Sequence, residues 1–299
     1  MVKQLWVERY RPQTVDEVKG QDHITSEIRS VIENKSMQHY IFYSPEPGTG
    51  KTSLAYAIAK ELGYQVHRFN ASSKRQRGIE FVEEDVAPLS RSGMWETIFL
   101  LDEADRLTAQ AQDALKGVIE DATGYFILTC NDLSKVSPWL QSRCQVRHFK
   151  AIDKSVIERQ LALIAAREAV DITDVEITTI ASYHEGDLRN AISALQSYAS
   201  LPQAQAQAFL RSLFVTDIDF DKFLKLCFKE HQIPLAFSML DQSKARQSVQ
   251  SIFEYGISSP ANDASKMKLI TSAITAERDL INGVDTSIAL WEFCRGLSD

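Results

Sequence analysis

The sequence lacks any long hydrophobic run. No stretch approaches the ~18 apolar residues that cross a membrane, and the charged start of the chain, with Lys3, has no signal-peptide core. Cysteine is scarce, since the chain has four and none forms a C-x-x-C pair. Its six histidines form no metal-binding pair. These absences argue against a membrane protein, a disulfide-stabilised scaffold and a zinc site, so we expect a cytoplasmic protein with free thiols.

An excess of positive charge is also absent. The chain has 40 acidic and 33 basic side chains, which give a net charge of −7 at pH 7. This balance argues against indiscriminate binding of nucleic acid, so any DNA contact must come from a local basic patch. The 299 residues are enough for one to three domains with a substantial core.

The most informative segment spans residues 45–52 and reads PEPGTGKT. It lies between an apolar run at 39–43, which predicts a strand, and a helix-forming run at 53–60. A glycine-bearing loop in this position is typical of a phosphate-binding loop, because its backbone N–H groups and the helix N-terminus both face the phosphates. The alternative is a chance glycine-rich turn, which the complete GTGKT core disfavours.

Within this loop, Gly48 and Gly50 allow the backbone to turn around phosphate oxygens. Lys51 is placed to reach the β- and γ-phosphates, and the Thr52 hydroxyl is placed to ligate Mg²⁺. The usual pattern begins with glycine, whereas Pro45 stands at that position here. Because proline has a fixed φ and no N–H, the first turn of the loop must be built differently.

A second polar segment follows a buried-strand pattern at residues 96–101. We expect this strand beside the strand of the phosphate-binding loop, with Asp102 in the magnesium shell. Glu103 is then the candidate general base that polarises the attacking water. The alternative is a solvated acidic turn that caps the next helix, a role that we assign to Asp105. The phosphate-binding loop upstream favours nucleotide hydrolysis.

Strand-like and helix-like segments alternate up to about residue 149. Strands are predicted at 65–70, 96–101, 125–130 and 145–149, and helices at 79–89 and 109–119. This alternation is typical of βαβ units and predicts a parallel sheet. From Asp153, a candidate N-cap, the apolar period becomes helical, with further helices predicted at 174–183 and 187–198. Residues 201–207 form a compositionally biased boundary, beyond which we predict only helices.

Several short motifs carry a family resemblance when they are taken in order. They lie at residues 6–12, 16–21, 102–105, 129–131, 142–144 and 186–189. In this order they resemble those of the ATPase subunits of DNA polymerase sliding-clamp loaders, which belong to the AAA+ superfamily and include the replication factor C small subunits. The Ser-Arg-Cys triplet at 142–144 is the most specific motif, and the resemblance covers nearly all of residues 1–200.

The start of the phosphate-binding loop departs from the cellular replication factor C pattern at Pro45. Residues 44–48, which read SPEPG, instead resemble the loop of T4-type phage clamp loaders. We therefore expect a phage origin, with the host cytoplasm as the location of the protein.

The resemblance implies a fold class and a division into domains. It implies an α/β AAA+ module, made of a parallel-sheet P-loop NTPase domain (1–150) and a helical lid (151–208), followed by an all-helical collar for oligomerisation (209–299). It also implies ATP and Mg²⁺ as cofactors. The implied partners are the other subunits of a hetero-oligomer, a pentamer with several copies of this chain, together with a sliding clamp and primer–template DNA.

The resemblance also assigns roles to individual residues. Asn131 would be sensor 1, Arg143 the arginine presented to ATP in the neighbouring subunit, and Arg189 sensor 2 in the lid. The adenine would lie against Tyr10, Arg11, Pro12 and Val18, and the phosphates against Pro47, Gly48, Thr49, Gly50, Lys51, Thr52 and Ser53. The alternatives are a strand-ending turn for Asn131, a surface ion pair for Arg143 and a helix-face charge for Arg189.

One basic segment suits contact with DNA. It contains Ser73, Lys74, Arg75 and Arg77 before a predicted helix start. No aromatic residue interrupts it, so we expect contacts to backbone phosphates rather than stacked bases. Weaker candidates are Thr108, Gln110 and Lys116, at the start of and within the helix after Glu103. A solvated basic loop is the alternative.

Two further expectations concern contacts that the motifs do not specify. The helix around Phe81, Val82, Val86 and Leu89 is our candidate for the surface that contacts the clamp, since its end at 88–89 could expose apolar side chains. Asn70 ends a strand predicted to neighbour the Asp102 strand, and it is a candidate for holding Glu103 inactive until DNA binds.

Two other functions stay open at this point. Another AAA+ motor, such as a branch-migration helicase, shares the nucleotide motifs but lacks the Ser-Arg-Cys triplet at 142–144. A non-hydrolysing scaffold subunit of the same assembly is disfavoured by the intact Lys51, Thr52, Glu103 and Arg143. The letters DEAD at 102–105 do not indicate a DEAD-box RNA helicase, because two RecA-like domains do not fit in this length.

Overall fold

The computed structural model describes residues 4–92, 96–213, 219–242, 245–259 and 262–298. The chain forms two compact units, Met1–Ser200 and Leu201–Asp299. The first unit contains a sheet and helices, and the second contains helices. The helix Gln203–Leu213 runs across residue 208, where the sequence predicted the end of the lid. The division into 1–150, 151–208 and 209–299 stays a prediction.

A parallel sheet forms the centre of the first unit, as the alternating sequence pattern predicted. Its strands are β1 (Tyr40–Tyr43), β2 (Gln65–Asn70), β3 (Thr97–Asp102), β4 (Tyr125–Cys130) and β5 (Gln145–His148). Their order across the sheet is β2-β3-β4-β1-β5. Each neighbouring pair is parallel, so the carboxyl ends of all these strands lie at one edge of the sheet.

The strand order corrects one prediction. We expected the strand that ends at Asp102 to lie directly beside the strand of the phosphate-binding loop, but β4 lies between β3 and β1. The local sequence pattern marks each strand as buried without specifying its neighbour, because neighbours depend on how the crossover helices pack. Asp102 nevertheless reaches the loop, since the first turn of the following helix brings Thr52 towards it.

Helices precede, connect and follow these strands. They are α1 (Trp6–Arg9), α2 (Asp22–Glu33), α3 (Lys51–Leu62), α4 (Ile79–Phe81), α5 (Ala87–Ser90), α6 (Ala109–Glu120), α7 (Pro138–Arg143), α8 (Lys154–Arg167), α9 (Asp174–Tyr183) and α10 (Leu188–Ala199). A π-helical segment, Val82–Val86, joins α4 to α5. The helix α9 begins with a capping box in which Thr173 and Glu176 satisfy each other's backbone N–H groups.

Alternating side chains of the strands enter two separate cores. Ile41, Phe99, Leu101, Phe126 and Leu128 pack on one side of the sheet. Tyr40, Phe42, Ile98, Leu100 and Ile127 pack on the other. Because both faces are covered, the central strands are buried throughout, and their sequences are continuous apolar runs rather than alternating ones.

Part of the helical segment proposed to contact the clamp faces inward. Phe81, Val82 and Val86 are at most 3% exposed and belong to the core on one side of the sheet. At its far end, Pro88 is exposed and Leu89 is half-buried. The choice of this segment as the clamp contact stays a prediction. Its outward side chains include Glu83 and Glu84.

The second unit contains α11 (Gln203–Leu213), α12 (Phe220–Phe228), α13 (Ile233–Ser238), α14 (Ala245–Ser258), α15 (Asp263–Ile281) and α16 (Thr286–Ser298). Its core includes Phe223, Leu269, Phe293 and the thiols of Cys227 and Cys294. All four cysteines of the chain are free and buried. Within the described residues, no helix is long and apolar enough to cross a membrane.

Candidate nucleotide-binding site

The phosphate-binding loop turns sharply because two glycines adopt left-handed backbone angles. Gly48 has φ +66° and Gly50 has φ +99°. Gly50 is the N-cap of α3, so the loop leads directly into the N-terminus of this helix. Unpaired N–H groups at a helix N-terminus favour anions, and the following helix therefore supplies part of the electrostatic attraction for phosphate.

Lys51 lies back over this loop. Its Nζ donates to the carbonyl oxygens of Ser44, at 3.3 Å, and Glu46, at 3.0 Å. Burial lowers the pKa of Lys51, and the nearby Arg189 guanidinium contributes in the same direction. A polyphosphate between these two cations would relieve their repulsion.

Asp102, at the carboxyl end of β3, is the most heavily bonded side chain of the site. It is 5% exposed. Its Oδ1 accepts from the hydroxyls of Thr52 and Thr129, each at 2.9 Å. Its Oδ2 accepts from Arg68, with Nε at 2.8 Å and a second guanidinium nitrogen at 2.7 Å. The carboxylate is thus bound by α3, β4 and β2 at once.

Sequence reasoning missed Arg68 and Thr129. Thr129 is a polar residue near the end of the otherwise apolar β4. Arg68 is a charged residue within β2, paired in parallel register with Leu100 of the buried β3. A polar side chain near the carboxyl end of such a strand is the signal that could have identified both, since ligands of open parallel sheets bind at that edge.

Glu103 follows Asp102 in a left-handed backbone conformation, with φ +56°. For a residue other than glycine this costs about 1–2 kcal/mol, and such strain is concentrated at functional sites. Its N–H donates to the Thr129 hydroxyl at 3.2 Å, and its carboxylate pairs with Arg106 at 2.6 Å. Asn70 uses its side-chain oxygen to accept from the Ser72 N–H at 2.9 Å. Restraint of Glu103 by Asn70 stays a prediction.

Two adjoining pockets, which share the loop residues Gly48, Thr49 and Gly50 and together form the nucleotide cavity, bring the predicted nucleotide residues together. Its phosphate end is lined by Pro47, Gly48, Thr49, Gly50, Lys51, Thr52, Arg68, Asp102, Glu103, Thr129, Asn131 and Arg189. The other end is lined by Tyr10, Arg11, Pro12, Val18, Ser53, Ile152, Leu188 and Ile192. The four residues predicted for the adenine all lie at this second end. Ile152, Leu188 and Ile192 were missed. Leu188 and Ile192 lie in the helix predicted at 187–198, and Ile152 lies just before the candidate N-cap Asp153.

The N-terminal arm is tied to the lid-like helices that close this cavity. The Tyr10 hydroxyl donates to Glu168 at 2.6 Å, and Arg9 pairs with the same carboxylate at 2.8 Å. The Trp6 N–H donates to Gln196 of α10 at 2.9 Å. Burial and the Glu168 carboxylate raise the pKa of Tyr10, so this phenol stays a neutral donor at physiological pH. The arm is therefore attached to the C-terminal end of α8 and to α10 by side-chain contacts.

Arg143 lies elsewhere in the first unit. It ends the short helix α7, is about half exposed, and pairs with Glu120 at 3.0 Å. Its guanidinium stacks over the Trp139 ring, 5.6 Å from the centroid. Among the described residues, those that line the nucleotide cavity do not include Arg143.

The basic segment and the start of α6 are joined by a backbone bond. Ser73, Lys74, Arg75 and Arg77 are exposed. The Thr108 N–H donates to the Arg77 carbonyl at 2.9 Å, while the Thr108 hydroxyl caps α6 by accepting from Ala111 at 3.2 Å. Gln110 is exposed beside it, and Lys116 pairs with Asp113 at 2.6 Å. The two sets of DNA candidates therefore share one surface region.

Comparison with known proteins agrees with this architecture. Residues 40–151 match the model of the ATPase family associated with various cellular activities (AAA). The fold and the site thus define an AAA ATPase, as the interpretation of the chain as an ATP hydrolase required. The chain is 33% identical to the replication factor C small subunit of Archaeoglobus fulgidus, over 99% of this chain and 97% of the relative. The chain belongs to the replication factor C small-subunit family.

Other relatives and structures extend this comparison. A replication factor C small subunit of Sulfolobus acidocaldarius is 30% identical over 98% of this chain and 95% of its own length. Replication factor C subunit 4 of Caenorhabditis elegans is 35% identical over 66% of this chain and 63% of its own length. The RuvB Holliday junction branch migration motor of Thermotoga maritima has a TM-score of 0.59, 18% identity, and covers 83% of this chain and 91% of itself. The likeness to RuvB shows the fold alone.

Gly48 gives a direct test of the cavity. A Cβ at this position would lie 1.8 Å from the Asp187 Oδ1 and 3.2 Å from the Asp187 Cα. Asp187 cannot easily rotate away, because the same oxygen caps α10 by accepting from Asn190 at 3.0 Å. We predict that Gly48→Ala weakens the binding of a fluorescent ATP analogue at least ~10-fold, which is about 1.4 kcal/mol.

The matched control is Gly63→Ala. Gly63 has a similar φ of +73°, but a methyl group added there would meet no atom within 4 Å beyond its chain neighbours. This variant therefore suffers the same backbone strain without the collision. We expect Gly63→Ala to lose about 1 kcal/mol of stability in urea unfolding, and Gly48→Ala to lose more because the collision with Asp187 adds to the backbone strain. Only Gly48→Ala should lose affinity. Equal affinities of the two variants would contradict the close approach of Asp187 to the loop.

Proposed function

We propose that this ATPase subunit of a clamp loader binds ATP and Mg²⁺ at the described cavity and works as one of several subunits. On this proposal, ATP bound between subunits opens a sliding clamp and places it on primer–template DNA, and hydrolysis releases the loader. The observation that carries the proposal is the complete phosphate end of the cavity, where Lys51, Thr52, Asp102 and Glu103 lie together. The family membership supports it over the full length of the chain.

The residues present suit a magnesium–nucleotide complex. Thr52 and Asp102 offer oxygen ligands 2.9 Å apart at the phosphate end, which is the donor type that Mg²⁺ prefers. The Thr49 hydroxyl oxygen is buried and has no hydrogen-bond partner among the described residues, so a phosphate oxygen there would satisfy it. When bound, Mg²⁺ would neutralise charge that develops on the phosphates. Lys51 would do the same from the loop, and Glu103 would accept the proton of the attacking water.

Assembly is supported by an exposed apolar stripe in the second unit. Met267, Ile274 and Ile281 are each 63% exposed and follow one another at seven-residue intervals along α15. Residues seven apart lie on the same face of a helix, so the three side chains form one row. Such rows mark protein contacts, which supports a hetero-oligomer held together by this unit. A pentamer with several copies of this chain is our proposal for its composition.

Two alternatives are less well supported. The likeness to RuvB extends to the fold, at 18% identity, so a branch-migration motor has no site-level support. A non-hydrolysing scaffold subunit would have no use for Glu103 held beside Asp102 in a strained conformation. A T4-type phage origin is proposed on residues 44–48 alone.

Glu103→Gln tests the proposed chemistry. The amide keeps the shape of the side chain but cannot accept a proton, so we predict ATP affinity within twofold of the wild type and hydrolysis reduced by about 10²–10⁴ in the assembled complex. The control is Glu158→Gln, which alters an exposed pair with Lys154 at 3.9 Å on α8. If Glu103→Gln hydrolyses ATP at the wild-type rate, another residue is the general base.

Arg143→Ala tests whether the site is completed by a neighbouring subunit. An arginine that stabilises transition-state charge is worth about 10³–10⁵ in rate. We predict normal folding and ATP binding but loss of most hydrolysis in the assembled complex. The control is Arg91→Ala, because Arg91 is equally exposed and also pairs with one acid, Asp121, at 3.0 Å.

Mixed assemblies make this test specific. Arg143→Ala subunits mixed with Lys51→Ala subunits should recover activity, because some interfaces then join an intact Arg143 to an intact phosphate-binding loop. Two inactive proteins would give one active assembly. If mixed assemblies form and stay inactive, Arg143 does not act on the neighbouring nucleotide.

The basic segment is tested by charge removal. We predict that Lys74→Gln, Arg75→Gln and Arg77→Gln combined lower the affinity for primed DNA and leave DNA-free ATPase unchanged. The slope of log affinity against log salt should become shallower by about 0.9 per lost phosphate contact, so the difference from the wild type narrows at high salt. The control replaces three other exposed residues, Lys35, Arg91 and Lys229, by glutamine, which changes the net charge by the same amount. If both variants have the same salt slope, the basic segment is a solvated loop that does not contact DNA.

A further inference from the structure

Arg68 is a charged side chain of the nucleotide cavity that no phosphate-binding motif includes. It lies on β2, its side chain is 45% exposed, and it lines the phosphate end of the cavity. Two of its guanidinium nitrogens contact the Asp102 Oδ2, at 2.7 and 2.8 Å. Both nitrogens bind the same oxygen, while the Thr52 and Thr129 hydroxyls bind the other.

The contact with Arg68 compensates the buried negative charge of the Asp102 carboxylate. A carboxylate that is 5% exposed requires a compensating positive charge. Lys51, another cation of the cavity, uses its Nζ on the carbonyl oxygens of Ser44 and Glu46. Arg68 therefore supplies the positive charge that contacts Asp102 directly.

We propose that Arg68 is an exchangeable counter-ion of Asp102, which holds this carboxylate until Mg²⁺ arrives with the nucleotide and then gives it up. The inference rests on the proposed function, because it needs a magnesium site at Thr52 and Asp102. It adds a positioning residue that controls how much Mg²⁺ the site requires.

Electrostatic repulsion and the space in the cavity both favour an exchange of Arg68 for Mg²⁺ over a permanent contact between Arg68 and Asp102. A divalent cation at Asp102 and a guanidinium on the same carboxylate repel each other within one cavity, so each weakens the binding of the other. Arg68 lines the cavity with a side chain that is 45% exposed, and it also hydrogen-bonds the Tyr56 side chain. On the proposal it leaves Asp102 by turning within the cavity. Asp102 itself stays in place, since Thr52 and Thr129 hold its other oxygen.

Arg68→Gln separates this role from a direct contact with phosphate. At a fixed concentration of mant-ATP, we expect the half-saturating Mg²⁺ concentration to fall at least threefold relative to the wild type. In EDTA, the mant-ATP affinity should stay within twofold. Without any nucleotide, Mg²⁺ should raise the thermal unfolding temperature of Arg68→Gln more than that of the wild type, because the uncompensated carboxylate then binds the cation.

Two further variants keep the test decisive. Arg68→Lys retains the charge but loses the paired nitrogens, and its Mg²⁺ requirement should lie between those of the wild type and Arg68→Gln. Arg91→Gln, which removes an exposed arginine paired with Asp121, should behave as the wild type. If Arg68→Gln does not fold, the comparison of Arg68→Lys with the wild type still decides the direction of the shift.

The outcomes separate this inference from the proposed function. An unchanged or increased Mg²⁺ requirement in Arg68→Gln and Arg68→Lys would overturn the exchange. A mant-ATP affinity that falls tenfold in EDTA would also overturn it and make Arg68 a phosphate ligand. If the wild type itself binds no mant-ATP with Mg²⁺, the proposed nucleotide site fails instead.

Discussion

The buried carboxylate of Asp102 is the interaction on which the geometry of the site depends. An ion this far from water costs several kcal/mol unless it is paired and hydrogen-bonded. Here Thr52 of α3, Thr129 of β4 and Arg68 of β2 each contact it. The phosphate-binding loop, the central sheet and an outer strand are therefore held in register by one side chain.

The strand order explains why this arrangement works. Because β3 lies between β2 and β4, the end of β3 is flanked by Arg68 on one side and Thr129 on the other. Had β3 paired directly with β1, as we expected from the sequence, Thr129 would not lie beside Asp102. The same threonine accepts from the Glu103 N–H, so the left-handed turn that aims Glu103 is fixed by the neighbour of β3.

The parts that could be predicted from the sequence are those set by short-range pattern. The glycines, Lys51 and Thr52 lie within one turn of the chain, so their spacing alone defined the loop. The parallel sheet followed from the alternation of strands and helices. Ile152 and Leu188 could not be found in this way, because their place in the cavity depends on how distant segments pack. The packing of Phe81 and Val82 on the sheet could not be predicted for the same reason. A row of apolar side chains on a helix has the same pattern whether a sheet or a partner protein covers it.

The distribution of charge in the cavity suits a polyphosphate. Lys51 of the loop and Arg189 of α10 both line the phosphate end, and Arg189 contributes to the lowered pKa of Lys51. An anion between them would replace this repulsion by two attractions. The same helix α10 is bonded to the N-terminal arm through Gln196. Arg143 does not line the nucleotide cavity of its own chain. On our proposal its charge acts on a nucleotide across a subunit contact, so hydrolysis requires assembly.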